Sequence, residues 1–353
     1  MKKGDVIGDY HITSKPTNTD AGKCLWAFAE KDGQEFFIKE FLDPKRPREN
    51  FMGSPEAKRA IVAQCEEFEE RHWSVIELLD PEDLDAGNLV TAVDFFFEGS
   101  RYYKVTRRLH LADLADPHLL TPYQKSVLLG TLADSLRLLH RKGIVHGDLK
   151  PQNVLLHQPP GSDLFTAKLI DFDDAYMSGA PPERTVIGGD ALYGAPEWIR
   201  YVQADPEIGP EQLVTAVDMF AFGLMAHTYL TGALPGYDKR HGSPAEAVNA
   251  GDALEFDDRL SPALLHTLRA LLRADPGSRP HIADVQDLLE QQEQLALRTN
   301  PPAPEDDYRV KVGRLQINFG GGKEPPSPSS GTQSRVRINL DGRNPEGRDE
   351  QRR

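Results

Sequence analysis

Cysteine is almost absent: Cys24 and Cys65 are the two in 353 residues. That is too few for a disulfide framework or a cysteine-built metal centre. No apolar run approaches the ~18 residues of a membrane span, and the most apolar stretch, 219–226, is far too short. The first ten residues carry two lysines and no apolar core, so no secretory leader is expected. Positive charge is also scarce, with 41 Lys and Arg against 55 Asp and Glu and a formal charge of −14. This balance argues against nucleic acid or anionic membrane as partner, because phosphate binding draws on clustered Lys and Arg. A soluble, cytoplasmic protein is the expectation. What remains, 39% hydrophobic and 27% charged residues, is enough to build a large core. The length allows two lobes and a tail.

Composition changes near residue 300. Pro301, Pro302 and Pro304 open a segment that continues through 320–322 (Gly-Gly-Gly) and a Pro/Ser-rich run at 325–331. Such a stretch buries too little apolar area to offset its ordering entropy, which predicts a flexible, largely disordered tail over 298–353. Two short pieces inside it alternate like strands, Val310 to Phe319 and Val336 to Leu340. Before the tail, the order is β-rich and then α-rich. Strands are expected at 10–13, 23–29, 35–41, 88–97 and 102–106, with Asp32-Gly33 as a two-residue hairpin turn. One helix is expected between the third and fourth strands, its apolar stripe running through Ile61, Cys65, Phe68, His72, Val75 or Ile76, and Leu79. Helical spacing then dominates at 122–141, 217–231, 262–273 and 282–295.

The chemistry concentrates in His146-Gly147-Asp148-Leu149-Lys150-Pro151-Gln152-Asn153, which is followed 18 residues after Asn153 by Asp171-Phe172-Asp173. An Asp, an Asn five residues on and a second Asp are the groups that metal-dependent phosphoryl transfer needs. One carboxylate orients a hydroxyl, while the amide and the other carboxylate hold Mg²⁺ against phosphates. This joint spacing resembles the catalytic loop and metal-binding segment of the protein kinase family. The resemblance continues through Phe37-Ile38-Lys39, Tyr103 to Leu109 with Thr106 at the gatekeeper position, Ala195-Pro196-Glu197, Asp218 and Arg279.

That resemblance implies an α+β, bilobal fold over residues 5–297, with a small β-rich N-lobe (about 5–108), a larger helical C-lobe (about 109–297) and the tail beyond. It implies an ATP- and Mg²⁺-dependent serine/threonine protein kinase. Asp148 and Lys150 would be catalytic, Asn153 and Asp171 would hold metal, and Lys39, Glu69, Cys24 and Leu155 would join them around the nucleotide. The helix glutamate that pairs with Lys39 is open between Glu69, which lies beside the apolar stripe, and Glu70. The substrate is expected to be a protein Ser or Thr, and a further partner is expected to dock through the tail.

Several positions depart from the family pattern. No Gly-x-Gly-x-x-Gly occurs; Ser14 to Gly22 stands in its place, with hydroxyls at Thr17 and Thr19 available to phosphate. Phe37 replaces a small residue and narrows the adenine slot. Gly147 stands where an arginine commonly receives an activation-loop phosphate, so Thr185 reads as an exposed loop residue and not a switch. Asp173 replaces a glycine and adds charge, and Asp190 replaces a threonine beside Asp148. These departures leave two other readings open, a kinase-like pseudoenzyme acting as a binding module and a small-molecule phosphotransferase of the aminoglycoside or choline kinase type. His110, His118, His140 and His157 lack metal-ligand spacing, His146 is expected to pack against Phe172, and Trp198 reads as core.

Overall fold

Strand alternation in the first hundred residues produces one curled antiparallel sheet. The computed structural model describes residues 1–19, 24–48, 50–79, 87–109, 112 and 116–299. Among these, β1 (Val6–Ile7), β2 (Tyr10–Ile12), β3 (Cys24–Lys31), β4 (Gln34–Phe41), β5 (Ala92–Glu98) and β6 (Arg101–Arg107) lie in the order β1-β2-β3-β4-β6-β5. Asp32 and Gly33 both adopt positive φ between β3 and β4, the twist that a two-residue hairpin requires.

Because residues directly opposite one another share a face, the register divides the sheet cleanly. One face carries Ala27, Ala29, Phe36, Ile38, Tyr103 and Val105, which pack with Ile7, Tyr10 and Ile12. On the other, Trp26 lies opposite Lys39, Lys39 opposite Lys104, and Phe37 opposite Thr106.

Helix α1 (Pro55–Ile76) covers one end of this second face. Ser54 caps it by accepting from the Ala57 amide at 3.2 Å, a type of cap worth about 1 kcal/mol. Its buried row is Cys65, Phe68, His72 and Val75, the expected stripe, and it meets Phe41, Phe95 and Tyr102.

The remainder is helical apart from two short ribbons. It runs α2 (Pro122–Arg141), β7 (Ile144–Val145), β8 (Val154–His157), β9 (Thr166–Leu169), β10 (Tyr176–Met177), α3 (Pro196–Val202), α4 (Ala216–Thr231), α5 (Pro244–Asn249), α6 (Pro262–Leu271), α7 (Ile282–Glu290) and α8 (Gln292–Leu295). A capping box between Thr121 and Gln124 starts α2. Helix α4 is apolar nearly all round, and such a helix belongs in a core. Gly223 lets it approach α6 closely, since a Cβ there would sit 3.0 Å from Leu271.

Two differences from the expected helices have local causes. The segment 282–295 divides at Gln291, whose backbone is non-helical (φ −83°, ψ 85°). Helices α3 and α5 have seven and six residues, too short for periodicity to reveal. Residues Met1–Ala303 form one unit and Pro304–Arg353 a second. Apart from residues 298 and 299, the expected tail and its two strand-like pieces lie outside the described residues, as do residues 20–23, which include the Gly22 of the expected phosphate loop.

The ribbons set the position of the site. Strands β7 and β10 pair, as do β8 and β9. The loop 146–153 connects β7 to β8, and residues 170–175 connect β9 to β10, so the two loops lie side by side. Leu169 binds the backbone of Asn88 and Val90 at 2.9 Å each, tying this end of the helical lobe to the sheet lobe.

One buried ion pair braces the helical lobe. Arg279 meets Glu197 through two bonds of 2.7 Å and gives its other donors to the carbonyls of Arg273, Ala274 and Ala216. Every guanidinium proton is thereby used. Removing one partner leaves a buried charge uncompensated, at a cost of about 3–5 kcal/mol. Arg279→Ala is therefore expected to lower stability by that amount in urea unfolding; a change below about 1 kcal/mol would contradict the role.

Candidate functional site

The loop 146–153 is fastened from below by one side chain. Asp218, buried in the first turn of α4, accepts from the His146 amide at 2.8 Å and the Gly147 amide at 3.1 Å, and contacts His140 Nε2 at 3.0 Å. Gly147 adopts φ +78°, and a Cβ there would lie 2.6 Å from the Asp174 carbonyl oxygen. Glycine is therefore required by both conformation and contact. His146 packs against Phe172 with ring centroids 5.3 Å apart, and its Nε2 lies 3.0 Å from the Ile170 carbonyl. The Ile170 amide in turn donates to the Asn153 carbonyl at 3.0 Å. The two loops are thus held to each other through backbone groups.

On this frame Asp148, Lys150 and Asn153 converge, with Asp171 following Ile170 in the adjoining loop. Asn153 donates from Nδ2 to the Asp148 backbone oxygen at 2.7 Å and to its carboxylate at 2.9 Å, which leaves the amide oxygen of Asn153 free to turn toward a cation. Lys150 Nζ lies 2.8 Å from Asp148 and 3.5 Å from Asp190. Burial acts against the Lys150 ammonium, but Asp148 and Asp190 outweigh it and hold its pKa above the ordinary range. Asp190 is itself fixed by the amides of Leu192 and Tyr193, so it stands beside the Asp148–Lys150 pair, where the sequence indicated. Asp171 takes a left-handed conformation, φ 63° and ψ 71°. A non-glycine residue held there by its surroundings marks a place where geometry serves a purpose.

The roof of the cleft differs from the expectation in the partner of Lys39. Lys39 does not meet Glu69. Its ammonium lies 2.8 Å from Asp171 and 2.6 Å from Asp173. Glu69 is occupied by Arg46, 2.8 Å from its Nε, and by the Tyr102 hydroxyl. Glu70 is exposed, so neither candidate glutamate serves Lys39. From α1, His72 reaches the charged centre, its Nε2 3.9 Å from Asp173. Burial pushes the His72 imidazole down to about 3, with Lys104 adding to the effect, so it is neutral. Cys24 lies on the same sheet face as Lys39, in the apolar cluster with Phe41, Cys65 and Phe68, and burial, with Asp173 adding to it, pushes its thiol up to about 12. Trp26, directly opposite Lys39, shares that face, with its ring 5.2 Å from Phe37. Leu155, on β8, lines a hollow of about 390 Å³ with Pro151, His118 and Thr228, next to Ala112. Thr185 is exposed and Trp198 is buried.

Sequence reasoning noted the extra charge at Asp173 but missed its partner. Lys104, buried on β6, lies 2.6 Å from the other Asp173 oxygen. A lysine at an inward-facing position of an aromatic and β-branched strand was the available signal. For Arg46, in the loop after β4, no periodic signal exists.

Electrostatics follow from these contacts. Burial and the Asp173 carboxylate raise the Asp171 pKa, with Lys39 opposing. Burial acts against ionised Asp173 too, but Lys104 and Lys39 overcome it and hold its pKa well below the usual range. Burial disfavours the Lys39 ammonium, and Asp173 with Asp171 more than offsets that. Among the described residues, no three His, Cys, Asp or Glu side chains form a metal cage. One carboxylate and one amide suit Mg²⁺, a hard cation that completes its shell with phosphates and water. A cation beside Asp171 would also relieve its repulsion with Asp173, so the residues fit the metal.

Asp174 adds a measurable signature. Burial and the carboxylates of Asp148, Asp173 and Asp171 push its pKa up to about 6. In the unfolded chain it titrates near ~3.9, so between about pH 4 and about pH 6 the folded protein binds a proton that the unfolded chain has lost. Stability from this group falls as pH rises through that window. Asp174→Asn is expected to flatten the fall in melting temperature of the metal-free protein; an unchanged slope would contradict it.

Comparison with known proteins agrees with this geometry. A family model described as "Protein kinase domain" matches residues 58–291. The match begins inside α1 and leaves Lys39, with its unusual surroundings, outside. Protein kinase kin1 of Schizosaccharomyces pombe is 27% identical over 286 residues, covering 79% of this chain and 30% of that protein. Human serine/threonine-protein kinase ULK3 is 28% identical over 265 residues, covering 73% of this chain and 49% of that protein. Serine/threonine-protein kinase pkn2 of Myxococcus xanthus is 28% identical over 223 residues, with 60% and 24% covered. The chain thus spans less than half the length of each of these three relatives.

Proposed function

We propose, from the premise that this chain belongs to the protein kinase family, that it transfers the γ-phosphoryl group of ATP to a serine or threonine hydroxyl of a protein, with Mg²⁺ as the metal. The observation that carries the reading is the hold on Asp148, with Lys150 at 2.8 Å and Asn153 at 2.9 Å. Its carboxylate is thereby aimed without using all of its acceptor capacity.

Asp148 orients the acceptor hydroxyl and takes its proton as the new O–P bond forms and the bond to the β-phosphate oxygen breaks, releasing ADP. Lys150 offsets charge on the phosphoryl group in transit. Lys39 reaches the α- and β-phosphates from the roof. Asn153 and Asp171 would hold Mg²⁺, which when bound would supply charge neutralisation for the phosphates. No covalent bond forms between protein and phosphate, so positioning and electrostatic preorganisation carry the rate.

Asp218 under the catalytic loop and the Glu197–Arg279 brace support a protein acceptor over a small-molecule one. The proposal extends to a cytoplasmic setting and to a partner docked through 298–353. A second reading, a nucleotide-responsive binding module without turnover, draws on the Trp26–Phe37 stack across the roof. It predicts no transfer by the unmodified protein.

With labelled ATP and a generic protein acceptor, the unmodified chain is expected to transfer phosphate. Asp148→Asn and Asp171→Ala are each expected to lose about 10³-fold or more in kcat while remaining folded. Undiminished transfer by either variant would defeat the assignment.

A further inference from the structure

We infer that Asp173 is the residue that positions Lys39, replacing a helix glutamate, and that Lys104 is its counter-ion. The inference deepens the kinase reading and rests on it.

Lys39 and Lys104 are directly opposite on neighbouring strands, where side chains on one face start about 5 Å apart. Both are largely buried, at 12% and 9% side-chain exposure. Two ammonium groups so placed repel each other unless an anion lies between them. Asp173 is that anion, giving one oxygen to Lys39 at 2.6 Å and the other to Lys104 at 2.6 Å. Neither α1 glutamate reaches this point: Glu69 is bound by Arg46 and Tyr102, and Glu70 is exposed. Asp171 is the other carboxylate on Lys39, but its oxygens are the ones a metal needs. An anchor that persists when metal binds must be a different group, and Asp173 qualifies.

The consequence is regulatory. Asp173 lies two residues from Asp171 in the same short turn, so one segment both holds the metal and sets Lys39. Placement of Lys39 is therefore tied to that segment and not to the position of α1.

The test uses the full chain and five proteins: unmodified, Asp173→Asn, Asp173→Glu, Lys104→Met, and the Asp173→Asn/Lys104→Met double variant. Two readouts apply: kcat and KM for ATP with Mg²⁺, and affinity for a fluorescent ATP analogue in EDTA. Asp173→Asn is expected to weaken metal-free affinity about tenfold and to lower kcat at least about tenfold, because Lys39 then collapses onto Asp171. Asp173→Glu is expected to restore part of both. The double variant is expected to stay impaired, since Lys39 still lacks its anchor. Recovery in the double variant would reduce Asp173 to a neutraliser of Lys104 and overturn the inference, as would unchanged affinity in Asp173→Asn. An unmodified protein without turnover would instead defeat the kinase reading, while the metal-free affinities would still decide the anchor.

Discussion

Charge in the cleft must balance where water is scarce. Two lysines from adjacent strands and two aspartates from one turn meet within hydrogen-bonding distance, linking sheet lobe to helical lobe. An unpaired ammonium or carboxylate in such a place is costly, whereas the set of four compensates itself. The rest of the site is arranged around that set. The ribbons of β7 to β10 fix where the aspartates emerge, and strand register fixes where the lysines point.

The helical lobe contributes rigidity of a different kind. Its two buried acidic residues of α3 and α4, Glu197 and Asp218, each use both carboxylate oxygens, Glu197 on Arg279 and Asp218 on the His146 and Gly147 amides. Glu197 braces the scaffold through Arg279, and Asp218 fastens the backbone under Asp148. A loop whose backbone amides are fastened to a buried carboxylate needs little reorganisation when a substrate arrives, which is the preorganisation that the proposed phosphoryl transfer would draw on. Sheet and helices therefore supply different parts of one function, cations from the roof and oriented oxygens from the floor.

Much of this was legible in the sequence because spacing along a loop translates directly into geometry. Asp148, Lys150 and Asn153 lie within six residues, and their mutual contacts need no long-range information. Strand alternation around Asp32-Gly33 and the stripe of α1 were readable for the same reason. The partner of Lys39 was not. Several glutamates on a charged helix look alike in sequence, and only the packed structure reveals that Arg46, from a loop without pattern, claims Glu69. Lys104 was the one overlooked signal that alternation alone could have raised.

The central claim is that roof and floor converge on one magnesium-loaded triphosphate. A crystal structure of the full chain with Mg²⁺ and a non-hydrolysable ATP analogue tests it most directly. The account predicts metal on Asn153 and Asp171, Lys39 on the α- and β-phosphates, and Asp173 still between Lys39 and Lys104. Electron density for nucleotide elsewhere, or Lys39 turned away from the phosphates, would contradict it.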